Sequence, residues 1–356
     1  DMVFDVDGHA YFRSQRTVCR FEPMPGGKWR EVPFDYGEEQ SMGFWGHNHR
    51  SDSALTFPAS GSGVQQRFGG FDVSARGHVA VASMLGLSLN SAKDKKAPLA
   101  LVAKGYQPPT VPGRAGSHLV FIFDKHGKLV HDDAFSGVKR IDSIRLDNED
   151  NVYVQVPGYP LVNGKMPKWT NPGACTLFKA RPGKVRFIKE KGLRENLPAD
   201  RVPKRPPDFM MHGNMRVWVE GAEWWHWGVG ARTDGHAISD CGCTANSRFD
   251  LDLYARSFAS EMHRYQIVVL DTNGNIVTRI GRAGNVDDGM PLVKEGGPPH
   301  PRSIGGDEVA IMNSMQVAVH TDKRLFIGDI GNYCVRSVKL GYHTEERVEV
   351  LRKAES

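Results

Sequence analysis

The sequence predicts an all-β fold: a six- or seven-bladed β-propeller with long inter-strand loops, forming a single domain over residues 1–356. Three observations predict it. A hairpin pattern recurs along the chain, Gly and Pro together make up about 17% of it against roughly 12% in average usage, and no helix-period segment competes. A chain of 356 residues with 40% hydrophobic and 24% charged residues can bury a large core, which excludes disorder and a collagen-like repeat.

The inner hairpins come first. Each pairs two β-rich runs across a polar turn: Val3–Phe12, Phe71–Val81, Ile144–Val154, Phe249–Phe258 and Val317–Ile327. Their turns recur at intervals of about seventy residues, except for one interval of about one hundred between the third and fourth. Met215–Gly230 is expected to supply a further unit inside that gap. A second, outer hairpin follows in at least two places, Val120–Val130 and Tyr265–Ile280. The second turns at Asp271-Thr272-Asn273-Gly274-Asn275, where Asn-Gly between apolar runs is a strong turn signal. This turn is not a calcium loop, because its Gly falls at the fourth position and an EF-hand needs it at the sixth. Two hairpins in series make one four-stranded meander, the unit of a propeller blade. Gly/Pro/Ser/Lys-rich stretches, such as 41–70, 87–116 and 282–306, read as the long loops.

Other classes are excluded by what is present. Lys and Arg are spread along the chain despite a net charge of +5, so nucleic acid is not an expected partner. No apolar run reaches the roughly 18 residues of a membrane helix, so no membrane span is expected. The chain starts at Asp1 without Met, from which an extracytoplasmic protein with its signal peptide removed is the expectation. No Cys-x-x-Cys-His is present, so covalent c-type haem on this chain is not expected.

Leu325-Phe326-Ile327-Gly328-Asp329-Ile330-Gly331-Asn332-Tyr333-Cys334-Val335-Arg336-Ser337-Val338 resembles an NHL-type propeller repeat, with a looser copy at Phe258–Asp271 in which Glu261 takes the Asp position. The resemblance covers roughly the last hundred residues and implies a propeller. Relatives include amidating lyases with a central metal, lactonase-like calcium enzymes and pure protein-binding modules, so fold alone assigns no function. Arg248–Phe258, with Leu270–Asn275 and Gly284–Gly289, also resembles NHL-repeat proteins of planctomycete-type bacteria. That likeness implies a haem-free propeller subunit of a cytochrome complex of the hydrazine synthase kind.

Several clusters are candidates for chemistry. Cys241 and Cys243, with Asp240 and His236 upstream, suit a soft metal or a disulfide to Cys175 or Cys19. His47 and His49 share one side of an extended segment and form a second pair of candidate ligands. Asp287 and Asp288 suit calcium or magnesium. Trp224, Trp225 and Trp227 fall within four positions and suit stacking or partner anchoring, or a strand packed on both faces. No nucleophile elbow, phosphate loop or dinucleotide fingerprint is present.

The expected function is that of a non-catalytic subunit that docks, through Trp224–Asp252, on a multi-subunit redox enzyme and helps shape its active site. Trp224, Trp225, Trp227, Arg248, Asp250 and Asp252 carry the contact, and other protein subunits, of cytochrome c type, are the expected partners. One alternative is a metal-dependent lyase or hydrolase with one divalent ion, Ca, Mg or Zn, near the propeller axis. The other is a carbohydrate- or peptide-binding module.

Overall fold

The structure is a computed structural model that describes residues 2–13, 17–34, 54–57, 70–84, 109–171, 173–211, 213–230, 247–284 and 309–341. The first sheet is a meander of β1 (Met2–Phe4), β2 (Ala10–Arg13), β3 (Thr17–Met24) and β4 (Lys28–Glu31), with β5 (Leu55–Thr56) added to β3. The second runs β6 (Phe71–Val73), β7 (Val79–Met84), β8 (His118–Phe123) and β9 (Leu129–His131). The third consists of β10 (Ser143–Leu146), β11 (Val152–Pro160), β12 (Cys175–Ala180) and, on its outer edge, β16 (Trp224–Val229). Between β12 and β16 the chain inserts β13 (Arg186–Ile188), β14 (Phe209–Met211) and β15 (Met215–Glu220). The fourth meander is β17 (Asp250–Leu251), β18 (Ser257–Glu261), β19 (Gln266–Leu270) and β20 (Ile276–Ile280). A short parallel pair, β21 (Arg282–Ala283) and β22 (Ala310–Ile311), precedes a three-stranded sheet of β23 (Ser314–His320), β24 (Arg324–Asp329) and β25 (Cys334–Lys339). Helix is confined, among the described residues, to single 3-10 turns at Ala199–Arg201 and Met262–Arg264. No helix there is long and apolar enough to cross a membrane.

One turn chemistry builds the hairpins. The carboxylate of Asp5, Asp124, Asp147, Asp252 or Asp271 accepts the N–H groups two and four residues ahead, all at 2.8–3.0 Å. Ser74 Oγ and His320 Nδ1 accept the first of these two bonds at the equivalent turns. The third residue after each anchor takes positive φ, at Gly8, Gly77, Gly127, Asp150, Ala255, Gly274 and Lys323. All five inner hairpins expected from the sequence form, as do both outer ones.

The sheets assemble side by side as in a propeller. The first strand of each packs on the first strand of the next, in the order β1, β6, β10, β17, β23. Turns at one end touch: Arg76 and His78 reach Asp150, and Asn148 Nδ2 donates to the Leu253 carbonyl. At the other end Arg13 donates to the carbonyls of Gly70 and Ala82, and Ser260 Oγ to that of Ser314. The apolar core lies between neighbouring sheets. Ala80, Val120 and Ile122 of the second face Ile144, Val152 and Val154 of the third, all fully buried.

The described residues form sheets of five, four, seven, four and three strands and one two-stranded pair, and a count of six or seven blades is not confirmed. Met215–Gly230 is not a further blade. Its two strands turn at Gly221 but pair elsewhere, β15 with β13 and β14, and β16 with β12. The long interval therefore enlarges the third sheet, with Phe187 and Phe209 of the insertion packed on Phe178 of β12.

Candidate functional site at the propeller axis

Counting back two residues from each inner turn anchor gives Val3, Asp72, Arg145, Asp250 and Ala318, one equivalent position on each first strand. Side chains alternate along a strand, so these five share an orientation. Asp72 Oδ2 accepts the N–H of Leu146 on the next first strand at 2.7 Å. Asp250 repeats the device, its Oδ2 accepting the N–H of Val319 at 2.8 Å. Arg145 stands between them. Its Nε donates to Asp250 Oδ1 at 2.8 Å, and its Nη1 donates to the Ile144 carbonyl and lies 3.9 Å from Asp72 Oδ1.

Burial sets the protonation of this group. It pushes the Asp72 carboxyl up to about 6, with Arg145 opposing and Asp250 adding to the rise. Burial also works against the charge of Arg145, but Asp250 and Asp72 outweigh it and hold the guanidinium above its ordinary value. Arg248 is pushed down to about 10 by burial and by Arg145. Arg13 falls to about 9 through burial and Arg248. Both stay charged at neutral pH.

A cavity of about 380 Å³ opens at the axis, and every one of the five sheets contributes to its wall or flanks it. Val3, Phe71, Val317 and Phe326 give it apolar walls, and Arg145 and Arg248 give it charge. Arg248 is anchored by donating to the Asp142 carbonyl, while the Asp142 side chain pairs with Arg140 at 2.9 Å and accepts the Cys175 thiol at 3.5 Å.

The folded Asp72 binds a proton that the unfolded chain has released between about pH 4 and pH 6, so stability falls as pH rises through that window. The loss amounts to about 3 kcal/mol for a shift of roughly two units. Asp72→Asn keeps an acceptor for Leu146 and is expected to flatten that slope. Urea titrations at pH 4, 5, 6 and 7 check it, and an unchanged slope in the variant refutes the assignment.

Of the residues singled out in the sequence, Arg248 and Asp250 meet at the axis, beside Arg145 and Asp72. Asp252 lies outside the cavity as a turn anchor, bonded to Tyr254, Arg256 and the Arg256 side chain. The tryptophans lie on β16 and alternate between its faces. Trp224 Nε1 donates to the Thr272 carbonyl at 2.8 Å, and its ring packs so closely on the β19–β20 turn that a Cβ on Gly274 would lie 2.8 Å from it. Trp225 stacks on Phe209 and meets Phe178 edge-on, and Trp227 lies 5.1 Å from Trp169. His47, His49, Cys241, Cys243, Asp287 and Asp288 lie outside the described residues. Cys19 and Cys175, the disulfide partners considered for the Cys241–Cys243 pair, are thiols.

A divalent ion at the axis does not fit the described residues. Asp72 and Asp250 are committed to backbone N–H groups and Arg145, and the cavity wall presents guanidiniums. Asp5, Asp7 and His9 do converge, but Asp5 already accepts two N–H groups, the His9 ring and the Tyr11 hydroxyl within its turn. Asp72 and Arg145 were missed by motif reading. Aligning the turn anchors and stepping back two residues is the signal that finds them.

No family model matches the sequence, and no curated protein matches it. Solved structures give weak likenesses. A gluconolactonase from Xanthomonas campestris has a TM-score of 0.33 at 11% identity, over 92% of this chain and 67% of that one. The calcium-binding regucalcin of Agrobacterium tumefaciens has a TM-score of 0.32 at 11% identity, over 92% and 80%. A streptogramin B lyase has a TM-score of 0.30 at 7% identity, over 92% and 74%. At these scores the likenesses carry no argument about activity.

Proposed function

We propose that this chain is a ligand-binding propeller that holds a small organic molecule in its axial cavity. The observation that carries the reading is the cavity itself. Its 380 Å³ lies within the range of small-molecule sites, and its lining joins apolar residues to the polar side chains of Arg145, Arg248 and Gln316. Ala318 is an exposed wall residue on β23, so Ala318→Trp fills the space without disturbing the core. Saturation-transfer NMR against a metabolite library is expected to give ligands for the wild type that A318W no longer binds, at unchanged Tm. Ligands that bind both proteins alike, or none at all, would end the reading.

The docking reading is the second. It draws on Leu253 and Tyr254, 56% and 65% exposed at the tip of the β17–β18 turn beside Asp252. In that reading the chain is an extracytoplasmic subunit seated on a redox partner through this apolar tip. The metal-dependent lyase or hydrolase is disfavoured by the cationic axis. It needs carboxylate or imidazole ligands facing the cavity, and the described first strands present none that are uncommitted.

A further inference from the structure

We propose that the loop joining β11 to β12 seats the protein on an anionic lipid surface, with its apolar side chains in the boundary between headgroups and acyl chains and its lysines on the headgroups. The loop is built from two consecutive turns. Val162 and Lys165 exchange both backbone hydrogen bonds, at 2.9 and 3.0 Å, across Asn163 and Gly164, which both take positive φ. The Thr170 N–H then donates to the Pro167 carbonyl at 3.0 Å, which places Lys168 and Trp169 at the corner of the second turn. Six of the eight residues 162–169 are exposed. Three of them are apolar, Val162 at 55%, Met166 at 50% and Trp169 at 61%, and two are Lys165 and Lys168.

Charge complementarity names the surface. Residues 160–171 include no Asp or Glu. A third cation comes from the insertion: a Cβ on Gly164 would lie 3.1 Å from Pro206, so the segment 203–207, with exposed Lys204 and again no acid, runs beside the tip. Asp208, the acid that follows, is committed to Arg205 at 2.9 Å and to the Val219 N–H. A tip of three apolar side chains is too small for the roughly 800 Å² that a stable protein complex buries on each partner, whereas a fluid interface moulds itself around such a tip. Tryptophan favours that interface, and Trp169 is braced for it, its ring 5.1 Å from Trp227 and Thr170 buried next to it. The turns are hydrogen-bonded before contact, so docking has little backbone left to order. The apolar tip at Leu253 and Tyr254 differs, because its neighbouring charges, Asp252 and Arg256, pair with each other.

Co-sedimentation of the full chain with sucrose-loaded vesicles tests this, comparing phosphatidylcholine alone with equal parts of phosphatidylcholine and phosphatidylglycerol. The wild type is expected to partition about tenfold more strongly onto the mixed vesicles, a preference that high salt removes. Lys165→Gln with Lys168→Gln should lower binding to the mixed vesicles about tenfold. Trp169→Ser should weaken it about as much, and brominated phosphatidylcholine in the mixed vesicles should quench tryptophan emission in the wild type far more than in that variant. All three side chains are exposed, so Tm should stay unchanged. A wild type that stays in the supernatant with both vesicles overturns the inference and leaves an acidic protein as the partner the lysines fit. Binding that is unchanged in both variants overturns it as well, since another surface then makes the contact. The comparison of vesicles on the wild type decides the matter even where a variant does not fold.

Discussion

Asp133→Ala is expected to destabilise the fold by about 3–5 kcal/mol, the typical cost of stripping one partner from a buried ion pair. Arg114, only 2% exposed, sits just before β8 and is held on every side. Its Nη1 and Nη2 grip the two Asp133 oxygens at 2.6 and 3.1 Å, Nη2 also donates to the His118 carbonyl at 2.9 Å, and Nε to the Gly116 carbonyl at 3.0 Å. The pair thereby ties the strand leading into β8 to the segment leaving β9. Removing the carboxylate leaves a cation in the interior with carbonyls alone. Replacing both partners by apolar residues, Arg114→Met with Asp133→Leu, is expected to cost far less than the single change, because no charge is then stranded. Urea unfolding of the three proteins measures this. A single-variant loss under 1 kcal/mol would show that the pair does not act as a buried unit.

Phe178→Ala is expected to cost a similar 3–5 kcal/mol. Phe178, on β12, is fully buried at the centre of an aromatic group. Phe187 meets it at 5.1 Å, Phe209 at 5.3 Å, Trp225 at 5.3 Å and Phe135 at 6.2 Å, all with interplanar angles of 68–86°. Such edge-on pairs add about 0.5–1.5 kcal/mol beyond area burial. Two of these rings come from the inserted strands β13 and β14, so the same substitution loosens the insertion from the meander. Phe178→Leu should cost less than half as much, since it keeps most of the volume. Equilibrium unfolding monitored by tryptophan fluorescence checks both, with Trp225 as a reporter in contact with the site. Losses under 1 kcal/mol would mean that the insertion does not rest on this ring.

Much of the fold was legible because its signals are local. An Asp with a polar turn between two apolar runs is readable at residues 5, 124, 147, 252 and 271, and in each case the carboxylate folds back onto N–H groups within four residues. The Asp329-Ile330-Gly331-Asn332 motif is legible for the same reason. Asp329 accepts the N–H groups of Met312, Asn313 and Asn332 and the Asn332 side chain, closing the β24–β25 turn and the approach to β23 together. Met215–Gly230 misled because alternation shows that a segment is extended and says nothing of which strand it pairs with, a choice made by distant apolar faces. The tryptophans misled in another way. Three in four positions look like one aromatic surface, but a period of two sends Trp224 to one side of β16 and Trp225 and Trp227 to the other. The axial charges were half legible. Arg248 and Asp250 stood out within a suspicious segment, whereas Asp72 and Arg145 acquire meaning only once five strands are superposed on their turns.

The self-anchored turns also bear on how the chain reaches its structure. Each hairpin brings together residues separated by only a few positions, so its closure costs little loop entropy and belongs to the microsecond events of folding. The ties between sheets, Asp72 to Leu146 and Asp250 to Val319, reach only to the next unit along the chain. A polypeptide leaving the ribosome from its N-terminus can therefore complete one sheet and dock it on its predecessor before the following one exists. This connectivity permits vectorial assembly, and in such an order the axial cavity, lined by both Met2 and Val335, is enclosed last.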